Sequence, residues 1–186
     1  MTEFQGCMSQ GMEKVTSYCE PLAELLKEHP PLREKMEQFR VSAMIIKQKE
    51  EGTYIKEEFE TLYHQMHRFK MEIDLHSMKE EDSLFEMMVS HIGRQGGPIA
   101  VMEEEHRLAK QHIASFFEKY CSENTQADER ARHLADHVLV VNQTLTDHFM
   151  KEEQILFPMA EQMLSEDEKE TLKKEFDLIS GANKLE

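Results

Sequence analysis

The sequence predicts an all-α protein: an up-down-up-down four-helix bundle with a short extra helix at each end. Three observations carry this. Glu, Lys, Leu, Met and Ala, all good helix formers, dominate the 186 residues. No segment alternates β-branched and polar residues for the length of a strand. Two long segments repeat apolar residues every three or four positions: Leu62, Met66, Phe69, Ile73, Leu84 and Met87 in one, Leu134, Val138, Val141, Leu145, Leu156 and Met159 in the other.

The punctuation places each helix in turn. A short helix over about 17–28 ends before Pro30-Pro31, which start the first main helix near 31 and carry it to 49. "EEGT" at 50–53 separates it from a second over 54–91. "HIGRQGGP" at 91–98 is the strongest break, with three Gly and Pro98, and a third helix runs over 98–121. "CSENTQADE" at 121–129 is a polar turn in which Thr125 or Asp128 can cap a fourth helix over 126–163. "SEDE" at 165–168 fits a capping box and opens a terminal helix to about 180, which Gly181 stops. Three regions follow: an N-terminal extension over 1–19, the bundle over 20–165, and a C-terminal helix and tail over 166–186.

Composition excludes several classes of function. The net charge is -15, so neither nucleic acid nor an anionic membrane is an expected partner, since both select a basic face. No apolar run approaches the ~20 residues of a membrane span, and the N-terminus lacks the pattern of a signal peptide. Cys7, Cys19 and Cys121 form no C-x-x-C pair and read as reduced thiols, so a cytoplasmic location is expected.

The chemistry lies in a repeat. "LHSMKEEDSLF" at 75–85 and "DHFMKEEQILF" at 147–157 agree at seven of eleven positions. Each contains His-x-x-x-Glu on the apolar stripe of its helix, where residues four apart share a face. His76 with Glu80, and His148 with Glu152, therefore aim into the bundle. Glu81 and Glu153 lie about 140° from the paired His and are expected to face outward, where truncation would spare a bound metal. Buried carboxylates and imidazoles are costly unless paired or metal-bound. His29 in "KEHPPL" and His106 in "EEHRLA" complete the order Glu-His, His-x-x-x-Glu, Glu-His, His-x-x-x-Glu. Two helical hairpins would each supply two His and one Glu to a shared site. Four imidazoles and two carboxylates match two divalent ions, each with two His and with the carboxylates bridging. Carboxylate bridging inside a bundle, with no thiolate in the set, favours two iron ions.

These residues resemble the hemerythrin-like, or HHE cation-binding, domain family over about residues 20–165. "EEDSLF" and "EEQILFP" look like its Glu-Glu-x-x-Leu-Phe-Pro tail. "GGPIAVMEEEH" at 96–106 is similar to a stretch in the iron-centre repair, nitric-oxide-responsive branch. The resemblance implies a hemerythrin-like bundle with a di-iron centre. It departs from the oxygen-carrying members, which use a fifth His where this chain has Lys110, and no Cys-rich N-terminal domain accompanies it. A four-His site leaves more open coordination positions, which favours reaction with O2, NO or peroxide, or iron release, over reversible oxygen carriage. The expected role is oxidative or nitrosative stress response, with a small diatomic molecule or peroxide as ligand. A non-enzymatic O2 or redox sensor or store, and a structural metal-binding bundle, remain alternatives.

Glu72, one turn before His76, and Glu105, beside His106, are candidates to orient an imidazole or line a channel. His64, His67 and His112 fall off the site faces, whereas His137 falls within about 20° of the His148 stripe and can point inward.

Overall fold

The computed structural model describes residues 15–50, 55–120 and 127–182. Helix α1 (Glu20–Gln48) is followed by α2 (Lys56–Lys79), which passes through a π-helical turn (Glu80–Phe85) into α3 (Glu86–Ile92). Helix α4 (Pro98–Tyr120) precedes α5 (Ala127–Lys151), which passes through a second π-helical turn (Glu152–Leu156) into α6 (Phe157–Met163), and α7 (Glu166–Ala182) is the last described element. The described chain has no strand. Helix α1 packs on α2 and α5, and α5 on α4, and an α2–α4 contact closes the four-helix bundle.

The N-terminal expectation needs correction. There is no separate helix over 17–28, because α1 runs unbroken through Pro30 and Pro31. A proline pair inside a helix removes intrahelical bonds and costs about 3 kcal/mol or more. Against this, Leu22, Leu25, Leu32, Met36 and Phe39 bury one continuous stripe along α1. Each contributes roughly 1.5–3 kcal/mol. Packing outweighs the local preference.

The π-helical turns also lay outside the periodicity, and each starts at the inner glutamate of its repeat. The break before α4 is where it was expected, with Gly93 and Gly96 at φ 74 and φ 70 turning the chain. The turn at 121–126, with Cys121 and Thr125, lies outside the described residues, as do Cys7 and the side chain of Asp128.

Two apolar clusters fill the interior. The larger includes Met36, Phe39, Leu62, Phe69, Ile113, Phe116, Val138 and Phe149. The smaller, at the other end, includes Leu22, Leu25, Phe85, Met102, Leu156 and Phe157 and takes Leu172 and Phe176 from α7. On every long helix the chain passes from one cluster to the other through a buried polar residue: His29, His76 and Glu80, His106, or His148 and Glu152. A polar layer thus divides the core. Among the described residues no helix is long and apolar enough to cross a membrane.

The capping box at the start of α7 forms as expected. The Ser165 backbone N–H and hydroxyl donate to Glu168 Oε2 at 2.8 and 2.7 Å, and His91 Nε2 meets Oε1 at 2.7 Å. The Ser165 backbone N–H first, then its hydroxyl and His91, hold the Glu168 carboxyl down to about 2. A depressed carboxyl contributes stability above its unfolded value of about 4.3, and that contribution is lost as pH falls to the folded value. In metal-free protein, amide protection over 165–169 should therefore fall between about pH 4.3 and 2. Glu168→Gln should remove that pH dependence. Equal acid sensitivity in both proteins would contradict the assignment.

Candidate metal centre

Six buried side chains converge in the polar layer. His29, His76, Glu80 and Glu152 each offer a ligand atom within 4.8 Å of the others, and so do Glu80, His106, His148 and Glu152. The two sets share both carboxylates. Each hairpin contributes both imidazoles of one set: α1 and α2 the first, α4 and α5 the second.

The orientation of each imidazole is fixed from outside. His29 Nδ1 meets Glu153 at 2.7 Å, His76 Nδ1 meets Glu28 at 2.7 Å, His106 Nδ1 meets Glu81 at 2.5 Å and His148 Nδ1 meets Glu105 at 3.2 Å. A carboxylate can only accept, so in each neutral ring Nδ1 carries the proton and Nε2 turns a lone pair inward. A cation holds each outer carboxylate: Arg33 on Glu153 at 2.5 Å, Lys79 on Glu28 at 2.5 Å, Lys110 on Glu81 at 2.6 Å, and Lys151 on Glu105. All of these groups obey the internal repeat. Glu28, His29 and Arg33 recur 77 positions on as Glu105, His106 and Lys110, while His76, Lys79, Glu80 and Glu81 recur 72 positions on as His148, Lys151, Glu152 and Glu153.

The inner groups lack what neutral chemistry would need. His29 Nε2, His76 Nε2 and all four oxygens of Glu80 and Glu152 are buried without a hydrogen-bond partner. Imidazole nitrogens approach those oxygens at 2.9–3.5 Å. Yet with Nδ1 protonated, lone pair faces lone pair. His106 Nε2 and His148 Nε2 lie 2.8 Å apart. Two nitrogens at right angles on one ion, with bonds of about 2.1 Å, are separated by about 3 Å. An orphaned set of this kind fits divalent cations.

The electrostatics show the same deficit of positive charge. Burial pushes the Glu80 carboxyl up, and the Glu152 charge adds to this. Burial is the largest influence on Glu152 and works the same way, but the His148 charge together with hydrogen bonding to His148 and His29 outweighs it and holds that carboxyl low. Burial alone would lower His148; Glu152 beside it and Glu105 on its other nitrogen instead raise it to about 10. His76 and His106 are raised against the same desolvation, with Glu80 the principal cause in each. Without a metal the site gathers protons.

Glu105 stands where it can orient an imidazole, but Glu72 does not. Glu72 is about half exposed and pairs with Lys35 at 2.8 Å, outside the cluster. Glu81 and Glu153 require a larger correction, since they are not simply solvated residues. Each lies at a helix seam, about one-third exposed, on an imidazole of the other hairpin. Phase counting assumed 3.6 residues per turn, and the wider π-helical turns re-aim the residue after the inner Glu. Glu28 was missed outright, although its equivalence to Glu105 across the repeat was the available signal. His137 does not reach the site; its Nδ1 lies 2.9 Å from Nδ1 of His112. The Cys19 thiol is pushed up to about 11, chiefly by burial.

A sequence model of the hemerythrin HHE cation binding domain family matches residues 20–160. The iron-sulfur cluster repair proteins YtfE of Salmonella paratyphi B and Salmonella newport are each 33% identical to the chain over 94 residues. That segment covers 48% of this chain and 42% of each relative, so it spans less than half of their length. No solved structure matches the chain.

Loss of a partner that orients a metal ligand typically weakens binding about 10–100-fold. Glu81→Ala and Glu153→Ala should each fall in that range in a competition titration against a chelator, and Glu72→Ala should not change affinity. Wild-type affinity in Glu81→Ala and Glu153→Ala would restore the phase argument and contradict the hydrogen-bond assignment.

Proposed function

The chain belongs to the hemerythrin HHE cation-binding family, and from that membership we propose that His29, His76, Glu80, His106, His148 and Glu152 would hold two iron ions, with Glu80 and Glu152 placed to serve both. The observation that carries the reading is the pair of overlapping four-residue sets, buried and sharing Glu80 and Glu152. Imidazole with carboxylate, and no thiolate, is a donor set that suits iron.

Ferrous iron held there would supply redox chemistry toward O2, NO or peroxide. The chain's own residues prepare that chemistry. The four outer carboxylates keep each Nε2 free as a ligand and hold each ring in place. Phe149 and Phe157 stand beside His29, and Phe85 beside His106, and so exclude bulk water. Four imidazoles shared between two ions would leave room at the metal for a small ligand. Lys110, where a fifth imidazole would otherwise stand, instead donates to Glu81 and steadies His106. The role we propose is iron handling or small-oxidant chemistry under oxidative or nitrosative stress. The named function of the repair relatives supports the iron-related part; cluster repair itself would come to this chain only by extension.

The test is elemental analysis and a visible spectrum of protein purified without oxygen from iron-supplemented cells. Two iron ions per chain, with an absorbance change on exposure to air or NO, are expected. One ion per chain, or zinc with no redox change, would overturn the reading.

A further inference from the structure

The internal repeat is tight at the six inner residues and the outer carboxylates that orient them, and breaks beyond those. The breaks fall on one side. Phe149 stacks on His29 with ring centroids 4.3 Å apart and meets His76 edge-on at 5.7 Å. Its equivalent, 72 positions earlier, is Ser77. A stacked phenyl ring therefore packs on His29, where the repeat-equivalent position carries only a hydroxymethyl group; the aromatic contacts of the other pair are looser, Phe85 with His106 at 5.6 Å and Phe149 with His148 at 6.0 Å.

The outer shell breaks in the same sense. Lys79, which holds Glu28 on His76, is buried, takes a second carboxylate from Glu24 at 2.6 Å, and lies 5.8 Å from the ring centre of Phe176 on α7. Its equivalent Lys151 is 34% exposed, and the equivalent of Glu24 is Val101, which accepts nothing. Helix α7 also grips the first hairpin through Glu168 to His91 and Lys173 to Glu20. The equivalents of His91 and Glu20 are Met163 and Gly97, which line an open surface pocket where a second covering helix would lie. Finally, the His148–Glu105 bond, at 3.2 Å, is the longest of the four.

We propose that the two cation positions are inequivalent: the His29/His76 position retains its ion, and the His106/His148 position exchanges with solution. The inference rests on the two-ion reading above. An ion leaves when one of its imidazoles swings away. That requires the Nδ1 bond to break and the ring to find room. At His76 the carboxylate is anchored by a buried, doubly paired lysine under α7, and Phe149 occupies the space. At His148 the bond is long and its lysine is wet.

The test is release of iron from anaerobically loaded, two-iron protein to a chromogenic ferrous chelator. Two phases of equal amplitude are expected, separated by about 10–100-fold in rate, the size of effect that outer hydrogen bonds exert on metal ligands. Phe176→Ala, far from the ligands, should accelerate only the slow phase. Val101→Glu, which gives Lys151 the second carboxylate that Lys79 has, should slow only the fast phase. Two ions leaving in one phase would overturn the inequivalence and leave the two-ion reading standing. Acceleration of only the fast phase by Phe176→Ala would overturn the assignment. Loading of fewer than two ions would overturn the two-ion reading, and the proposal with it.

Discussion

Two carboxylates sit in the driest part of this molecule with no hydrogen-bond donor on any of their oxygens. Desolvating a charge costs several kcal/mol even after relaxation, so such a pair survives only with positive charge beside it. The rest of the architecture follows from that constraint. The imidazoles point their lone pairs at the same centre, which makes them unsuitable donors to Glu80 and Glu152 unless they take up protons. Protons or cations must fill the gap. The polar layer is therefore the joint between two apolar clusters that would otherwise merge.

The outer shell solves the complementary problem. An imidazole in a dry interior has two tautomers, and only one leaves Nε2 available. Four carboxylates select it, and four cations keep those carboxylates in place. Glu28 and Glu105 act within their own hairpins, while Glu81 and Glu153 reach across to the other. The cross-bonds also clamp the hairpins together at the height of the site. The π-helical turns make this possible: one wide turn lets the first glutamate face the centre and the next bond to an imidazole of the other hairpin.

Much of this was legible in the sequence. The stripes of α2 and α5 are strongly periodic, and the polar interruptions at His76, Glu80, His148 and Glu152 stand out against them. The written repeat then exposed His29 and His106. What escaped notice depended on backbone departures or tertiary packing. Pro30 and Pro31 indicate a helix start locally, and only burial of the α1 stripe on both sides shows otherwise. Glu81 and Glu153 read as outward on an ideal helix because a π turn has no reliable signature in spacing. Glu72 has the right phase but finds Lys35 at the surface. Glu28 was within reach, since the repeat that exposed Glu105 beside His106 places it beside His29.

Thermal unfolding with and without metal tests the central claim, that six residues from two hairpins form one shared buried site. A ligand that binds the folded state alone adds about 3–4 kcal/mol at 100 to 1,000 times its dissociation constant. For a domain of this size, that is a rise of about 10 °C in the midpoint at roughly 2–4 °C per kcal/mol. Iron removed by a chelator under reducing conditions should lower the midpoint by that amount, with helix content retained below it because the apolar stripes extend past the site. An unchanged midpoint on metal removal would mean that these residues do not share a cation, and the account would fail at its centre.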